Sequence, residues 1–157
     1  MFLYKTFPSE LILVDLQAED KDEVFEEMAD KFCQTTGIGN RENILQALWE
    51  RESKMSTGIQ KGVAIPHAKT PDVEDVRGVL GLSKKGIDYD ALDGQPVYLV
   101  FMLFVPQNDS EEHLRILQRL SDMLHNHKFY MDLVAQNTPN NVNDIIRKYE
   151  DIYIASE

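Results

Sequence analysis

Apolar residues in the first third of the chain recur at helical spacing. Val24, Phe25, Met28, Ala29, Phe32 and Cys33 fall on one face of a helix over 23–36, with Asp20 or Asp22 as its N-cap and Gly37 as its stop. Asn40 then predicts the N-cap of a second helix that turns Ile44, Leu45, Leu48 and Trp49 inward, points Glu42, Glu50 and Glu52 outward and ends near 53–56. From Thr57 the period changes. Glycines and prolines punctuate short β-branched runs such as 63–65 and 79–82, which read as strands joined by tight turns. The run 97–105 is continuously apolar between Pro96 and Pro106, as expected of a strand covered on both faces at the centre of a sheet. Asp109-Ser110-Glu111-Glu112 supplies an N-cap with Glu at N3, ahead of Leu114, Leu117, Leu120 and Leu124 on one face of a third long helix. Near the C-terminus a short helix is predicted around 129–135 and another from about Val142, entered after Pro139. Helices before and after a central group of strands predict an α/β three-layer sandwich, and the absence of repeats or linkers predicts one domain over 1–157.

Composition narrows the class. Apolar residues make up 43% and charged residues 27%, a balance that supports a packed core and argues against a disordered chain. The longest apolar run is about half of the roughly 20 residues that a spanning helix needs, so no membrane insertion is expected. No small-residue cleavage site follows the apolar start at 1–4, so the expected location is cytoplasmic. The single cysteine, Cys33, leaves no internal disulfide or thiolate metal cluster. A formal net charge of −11, with Lys and Arg dispersed, argues against nucleic acid as a ligand. The same acidity favours basic protein partners, or serves solubility alone.

The most informative stretch is Gly62-Val63-Ala64-Ile65-Pro66-His67. Ile65 is held extended by the proline after it, and Pro66 has a fixed φ, so the imidazole of His67 leaves the strand end in a defined direction. Gly62 and Ala64 present little bulk, which predicts close approach by another backbone or a large anionic group. A neutral imidazole can attack phosphorus without a separate strong base. The product brings close to two negative charges, which an Arg guanidinium and helix N-terminal N–H groups can meet; Arg51, Thr57 and the first turn at His113 are the candidates. Taken singly, each residue has a plainer role: His67 bonded to a strand-end carbonyl, His113 a half-buried capping residue, Arg51 a solvated helix end. His125 and His127 do not share a helix face and read as structural or solvent-facing, and Cys33 reads as core.

In combination these residues resemble a family. Arg51-Glu52, Ser56-Thr57-Gly58-Ile59, the hexapeptide ending at His67, Gly86-Ile87-Asp88-Tyr89, Leu92-Asp93-Gly94 and Glu112-His113-Leu114 with Leu117 are similar to the type-2 IIA domains of the bacterial sugar phosphotransferase system (PTS). That group comprises the fructose- and mannitol-type IIA components and the nitrogen-regulatory IIA protein, and the resemblance runs from about residue 5 to 155. It implies a mixed sheet of about five strands flanked by helices on both faces. It also implies a phosphoryl relay in which enzyme I draws on phosphoenolpyruvate, HPr is the donor, and the acceptor or target is a IIB domain or a regulatory protein. By the resemblance His67 is the phosphoryl acceptor, Arg51 compensates charge, and His113 polarises the phosphoryl group without carrying it. No metal or organic cofactor is implied. Gln60-Lys61 stands where many members have a glycine before Gly62, and no IIB or IIC region accompanies the chain, so sugar uptake and regulation are both expected readings. A hydrolase using His67 as base finds no matching Ser or carboxylate pattern.

Overall fold

The computed structural model describes residues 1–108 and 111–157, and for Ile59 and Gln60 the backbone alone. Two antiparallel strands form the middle of the sheet. The apolar run becomes β6 (Val97–Pro106), paired with β5 (Arg77–Ile87). On the far side of β5 lies the short parallel β1 (Ile12–Leu13), and on the far side of β6 lie β3 (Val63–Ala64) and β4 (His67–Thr70), both parallel to it. An antiparallel β2 (Gly58–Gln60) closes that edge. β3 and β4 keep one register, Val63 opposite Leu99 and His67 opposite Leu103, so they occupy a single lane and the mixed sheet has the expected width. The lane is interrupted at Ile65-Pro66 because Pro66 has no N–H to give, although its carbonyl still accepts from Leu103 at 2.9 Å.

Helices cover both faces. Leu99, Phe101, Leu103 and Val105 of β6 pack toward α4 (Glu111–Leu124), α5 (His127–Val134) and α6 (Pro139–Ala155), joined by Leu3 of α1 (Leu3–Thr6). Val100, Met102 and Phe104 pack toward α2 (Lys21–Thr36) and α3 (Arg41–Glu52). Asp20 caps α2 by accepting from Glu23 N–H, Gly37 ends it in the left-handed region at φ +67°, and Asn40 caps α3. One tail element differs from expectation. Thr138 caps α6 and Pro139 is its first residue, where the missing N–H has no intrahelical partner to lose, so the helix begins before Val142. The N-terminus is tied down by buried Glu150, which accepts from Leu3 N–H at 2.6 Å and from Arg119 Nη1 at 2.9 Å.

α4 is rotated relative to the leucine pattern. Its buried residues are His113, Ile116, Leu120 and Met123, while Leu114 is 62% exposed. The helix is apolar over a broad arc, and the sheet covers the part centred on Ile116 and Leu120, which leaves Leu117 and Leu124 at the edge and turns His113 inward. The expected cap at Asp109 and Ser110 lies outside the described residues.

The turn between β2 and β3 explains the departure at position 61. Lys61 and Gly62 both have positive φ, +44° and +84°, as a two-residue hairpin with the sheet's twist requires. A side chain in that region costs about 1–2 kcal/mol. Lys61→Gly therefore raises the unfolding free energy by about 0.5–1 kcal/mol, the glycine's greater unfolded-state entropy offsetting part of the gain, as read by urea denaturation.

Candidate functional site

His67 is the first residue of β4, half-buried, and both of its ring nitrogens are engaged. Nδ1 lies 3.0 Å from the carbonyl of Ile65, and Nε2 accepts from Arg51 Nε–H at 3.2 Å. Together these bonds select the tautomer: Nδ1 carries the proton and Nε2 carries the lone pair. Burial pushes the His67 pKa below the ordinary imidazole value, the bond to Ile65 opposes the shift, and the Arg51 charge adds to it. The ring is thus neutral at neutral pH, with an unprotonated nitrogen of the kind that can act as a nucleophile.

Three elements meet around it. α3 packs on β4 and brings Arg51, whose Nη1 also donates to the carbonyl of Met55 at 2.9 Å. α4 brings His113, its ring centroid 5.2 Å from that of His67. Between them opens a cleft of about 300 Å³, lined by both imidazoles, Arg51, Lys54 and Lys69 against one carboxylate, Glu50. In a chain of net charge −11 this is a local excess of positive charge, suited to an anion at Nε2.

The other candidates stand behind or away from the cleft. Thr57 is 3% exposed, and its hydroxyl is given to Glu52 Oε1 at 2.7 Å with Tyr89 Oη 2.8 Å away. Glu52, expected on the outward face of α3, is instead 6% exposed and paired with Lys21 Nζ at 3.1 Å. A carboxylate inside a protein needs such partners, and Lys21 and Thr57 supply them. Gly62 and Ala64 do not open the site to a ligand: a Cβ at Gly62 would fall 2.5 Å from Tyr130 Oη, and Ala64 is packed in the core beneath α2 and α3. His125 and His127 are exposed, the latter against the Tyr130 ring at 5.8 Å. Cys33 is half-buried at the margin of the α2–α3 core. Among the described residues no three His, Cys, Asp or Glu side chains converge to hold a metal ion, and no helix is long and apolar enough to cross a membrane.

The chain is similar to known proteins over most of its length. Residues 5–149 match the family model described as phosphoenolpyruvate-dependent sugar phosphotransferase system, EIIA 2. The chain is 35% identical over 139 residues to the PTS system fructose-specific EIIABC component of Bacillus subtilis, a match that covers 88% of this chain and 22% of that longer protein. It is 36% identical over 115 residues to a nitrogen regulatory protein of Bradyrhizobium diazoefficiens, covering 73% of this chain and 74% of that one. The crystal structure of the nitrogen regulatory protein IIA-Ntr from Neisseria meningitidis superposes with a TM-score of 0.84 at 28% identity, over 92% of this chain and 98% of that one.

Proposed function

Because the chain belongs to the EIIA 2 family of the phosphoenolpyruvate-dependent sugar phosphotransferase system, whose members are phosphoryl carriers, we propose that Nε2 of His67 accepts a phosphoryl group from phospho-HPr and passes it to a IIB domain for sugar uptake of the fructose or mannitol type. The observation that carries this reading is the pair of bonds on the His67 ring, which leaves Nε2 as the unprotonated nitrogen and sets Arg51 across it.

In the transfer, the Nε2 lone pair forms a new N–P bond while the donor's bond to phosphorus breaks and its electron pair returns to the donor. Arg51 Nε–H occupies that lone pair at rest, so it must turn onto a phosphoryl oxygen as the bond forms, pivoting on the anchor to Met55. Lys54 and Lys69 add charge compensation, and His113 stabilises the phosphoryl group from the opposite wall. Thr57 does not touch phosphate, since its hydroxyl is already committed to Glu52. The phosphorylated ring keeps its Nδ1 proton against Ile65, and the positive charge this leaves on the ring makes it a good leaving group for the next acceptor.

Incubation of the full chain with phosphoenolpyruvate, enzyme I and HPr should place an acid-labile, base-stable phosphoryl group on the protein, which then discharges onto a fructose- or mannitol-type IIB domain. Absence of label ends the proposal. The fold similarity to IIA-Ntr supports a second reading, a regulatory binding module whose target senses phosphorylation at His67. Label that no sugar-specific IIB domain removes would favour it.

A further inference from the structure

A buried clasp stands directly behind Arg51, and the transfer chemistry above leaves its carboxylate without a task. Glu52 Oε2 accepts from the Thr57 backbone N–H at 2.8 Å and pairs with Lys21 Nζ at 3.1 Å. Its Oε1 accepts the Thr57 hydroxyl proton at 2.7 Å and has Tyr89 Oη at 3.5 Å. Since the only hydroxyl proton of Thr57 goes to Glu52, the 2.8 Å contact between Thr57 and Tyr89 is filled by the Tyr89 proton. Lys21 Nζ also sits 4.9 Å from the centroid of the Tyr89 ring. Packing alone does not call for this arrangement, because a buried ion pair replaced by apolar residues of similar volume often leaves a fold as stable or more so.

The clasp holds the segment that joins helix to strand. Glu52 is the last residue of α3 and Thr57 immediately precedes β2, so the carboxylate ties the two ends of 53–57 together. In the middle of that segment the Met55 carbonyl accepts from Arg51 Nη1, and the same guanidinium reaches His67 through Nε. A continuous path of bonds therefore runs from Glu52 through Thr57 and the Met55 carbonyl to Arg51 and the reacting nitrogen.

We propose that Glu52 is a positioning residue: its carboxylate fixes the 53–57 segment so that the Met55 carbonyl holds the Arg51 guanidinium across Nε2 of His67, where phosphoryl oxygens arrive. The catalytic consequence rests on the phosphocarrier reading, while the clasp itself exists without phosphate.

Glu52→Gln keeps the shape of the side chain but turns an NH₂ group toward donors. Two readouts are needed in the full chain: solvent exchange of the Arg51 Nε–H by NMR, and phosphoryl acceptance from phospho-HPr. The expected result is faster Nε–H exchange together with a kcat for acceptance lowered about tenfold, as small misplacements of a catalytic group produce, at an unchanged KM for phospho-HPr. If that variant does not fold, Thr57→Val, which removes the hydroxyl's bonds to Glu52 and Tyr89 and keeps the backbone bond to Glu52, should show the same two changes at smaller size. A folded variant with unchanged Nε–H exchange overturns the proposal, and so does faster exchange with unchanged kcat. If the unmodified protein takes no phosphate, the phosphocarrier reading fails, and the clasp is then judged by the exchange measurement alone.

Discussion

Alanine at position 67 abolishes phosphoryl uptake, lowering labelling by phosphoenolpyruvate, enzyme I and HPr by about a thousandfold or more, because among the described residues no other side chain lining the cleft offers an unprotonated nitrogen in the same place. His113 is close, but the bonds that select the tautomer and aim the lone pair belong to His67. The substitution is expected to leave the fold intact: the ring is half-buried and lines the cleft, and its removal makes room for water to take up the bond to the Ile65 carbonyl. An unchanged urea midpoint checks that the loss is chemical. The pH dependence of the unmodified protein follows from the same ring. Burial and Arg51 hold the His67 pKa below the usual imidazole value, so Nε2 keeps its lone pair as the medium is acidified past about 6.5, and acceptance falls only at lower pH. A variant lacking His67 that still took a full complement of label would refute the assignment.

Much of the arrangement around His67 can be read from local chemistry, and the rest depends on residues distant in sequence. The run 97–105 became the central strand because nothing but burial on both faces suits it. The cap at Asn40 is legible in the sequence, and that of α2 narrows to Asp20 or Asp22, because an N-cap is a local bargain between one side chain and the next turn. Glu52 was misread although its phase was visible: Ile44, Leu48 and Glu52 recur every four residues, and Ile44 and Leu48 are buried. Charge opposes periodicity at that position, and the donors that reverse the preference are Lys21, far away in sequence, and Thr57, beyond the end of the helix. The phase of α4 was ambiguous for a different reason. Leu114, Leu117 and Leu124 form a stripe beside Ile116, Leu120 and Met123, and only the sheet decides which is covered. That decision places His113 beside His67. The small residues Gly62 and Ala64 marked close approach as expected, but the approaching groups are Tyr130 and the α2–α3 core rather than a ligand.

Arg51→Ala should produce the second large effect, slowing acceptance from phospho-HPr by about 10²–10³ while leaving His67 in place, the range measured when an aimed donor is removed from a developing oxyanion. Two consequences of the change oppose each other. Without the guanidinium, Nε2 loses the bond that occupies its lone pair, and the His67 pKa rises because a neighbouring positive charge is gone. A freer, more basic nitrogen is a better nucleophile in isolation. The incoming group nevertheless carries close to two negative charges into a cleft that retains Glu50, and Lys54 and Lys69 remain as flexible point charges without the planar fork. Charge compensation dominates, so the rate falls even as the titration midpoint of the His67 ring moves upward by NMR. Arg51→Lys recovers only part of the rate, since an ammonium cannot bond the Met55 carbonyl and two phosphoryl oxygens in the guanidinium's geometry. His113→Ala is the milder comparison: the protein still accepts phosphate but passes it on more slowly, because the ring loses contact with the phosphoryl group and not the nucleophile. If Arg51→Ala accepted phosphate at the unmodified rate with the His67 midpoint unmoved, the guanidinium would be a helix-end charge and the cationic cleft would have no part in the transfer.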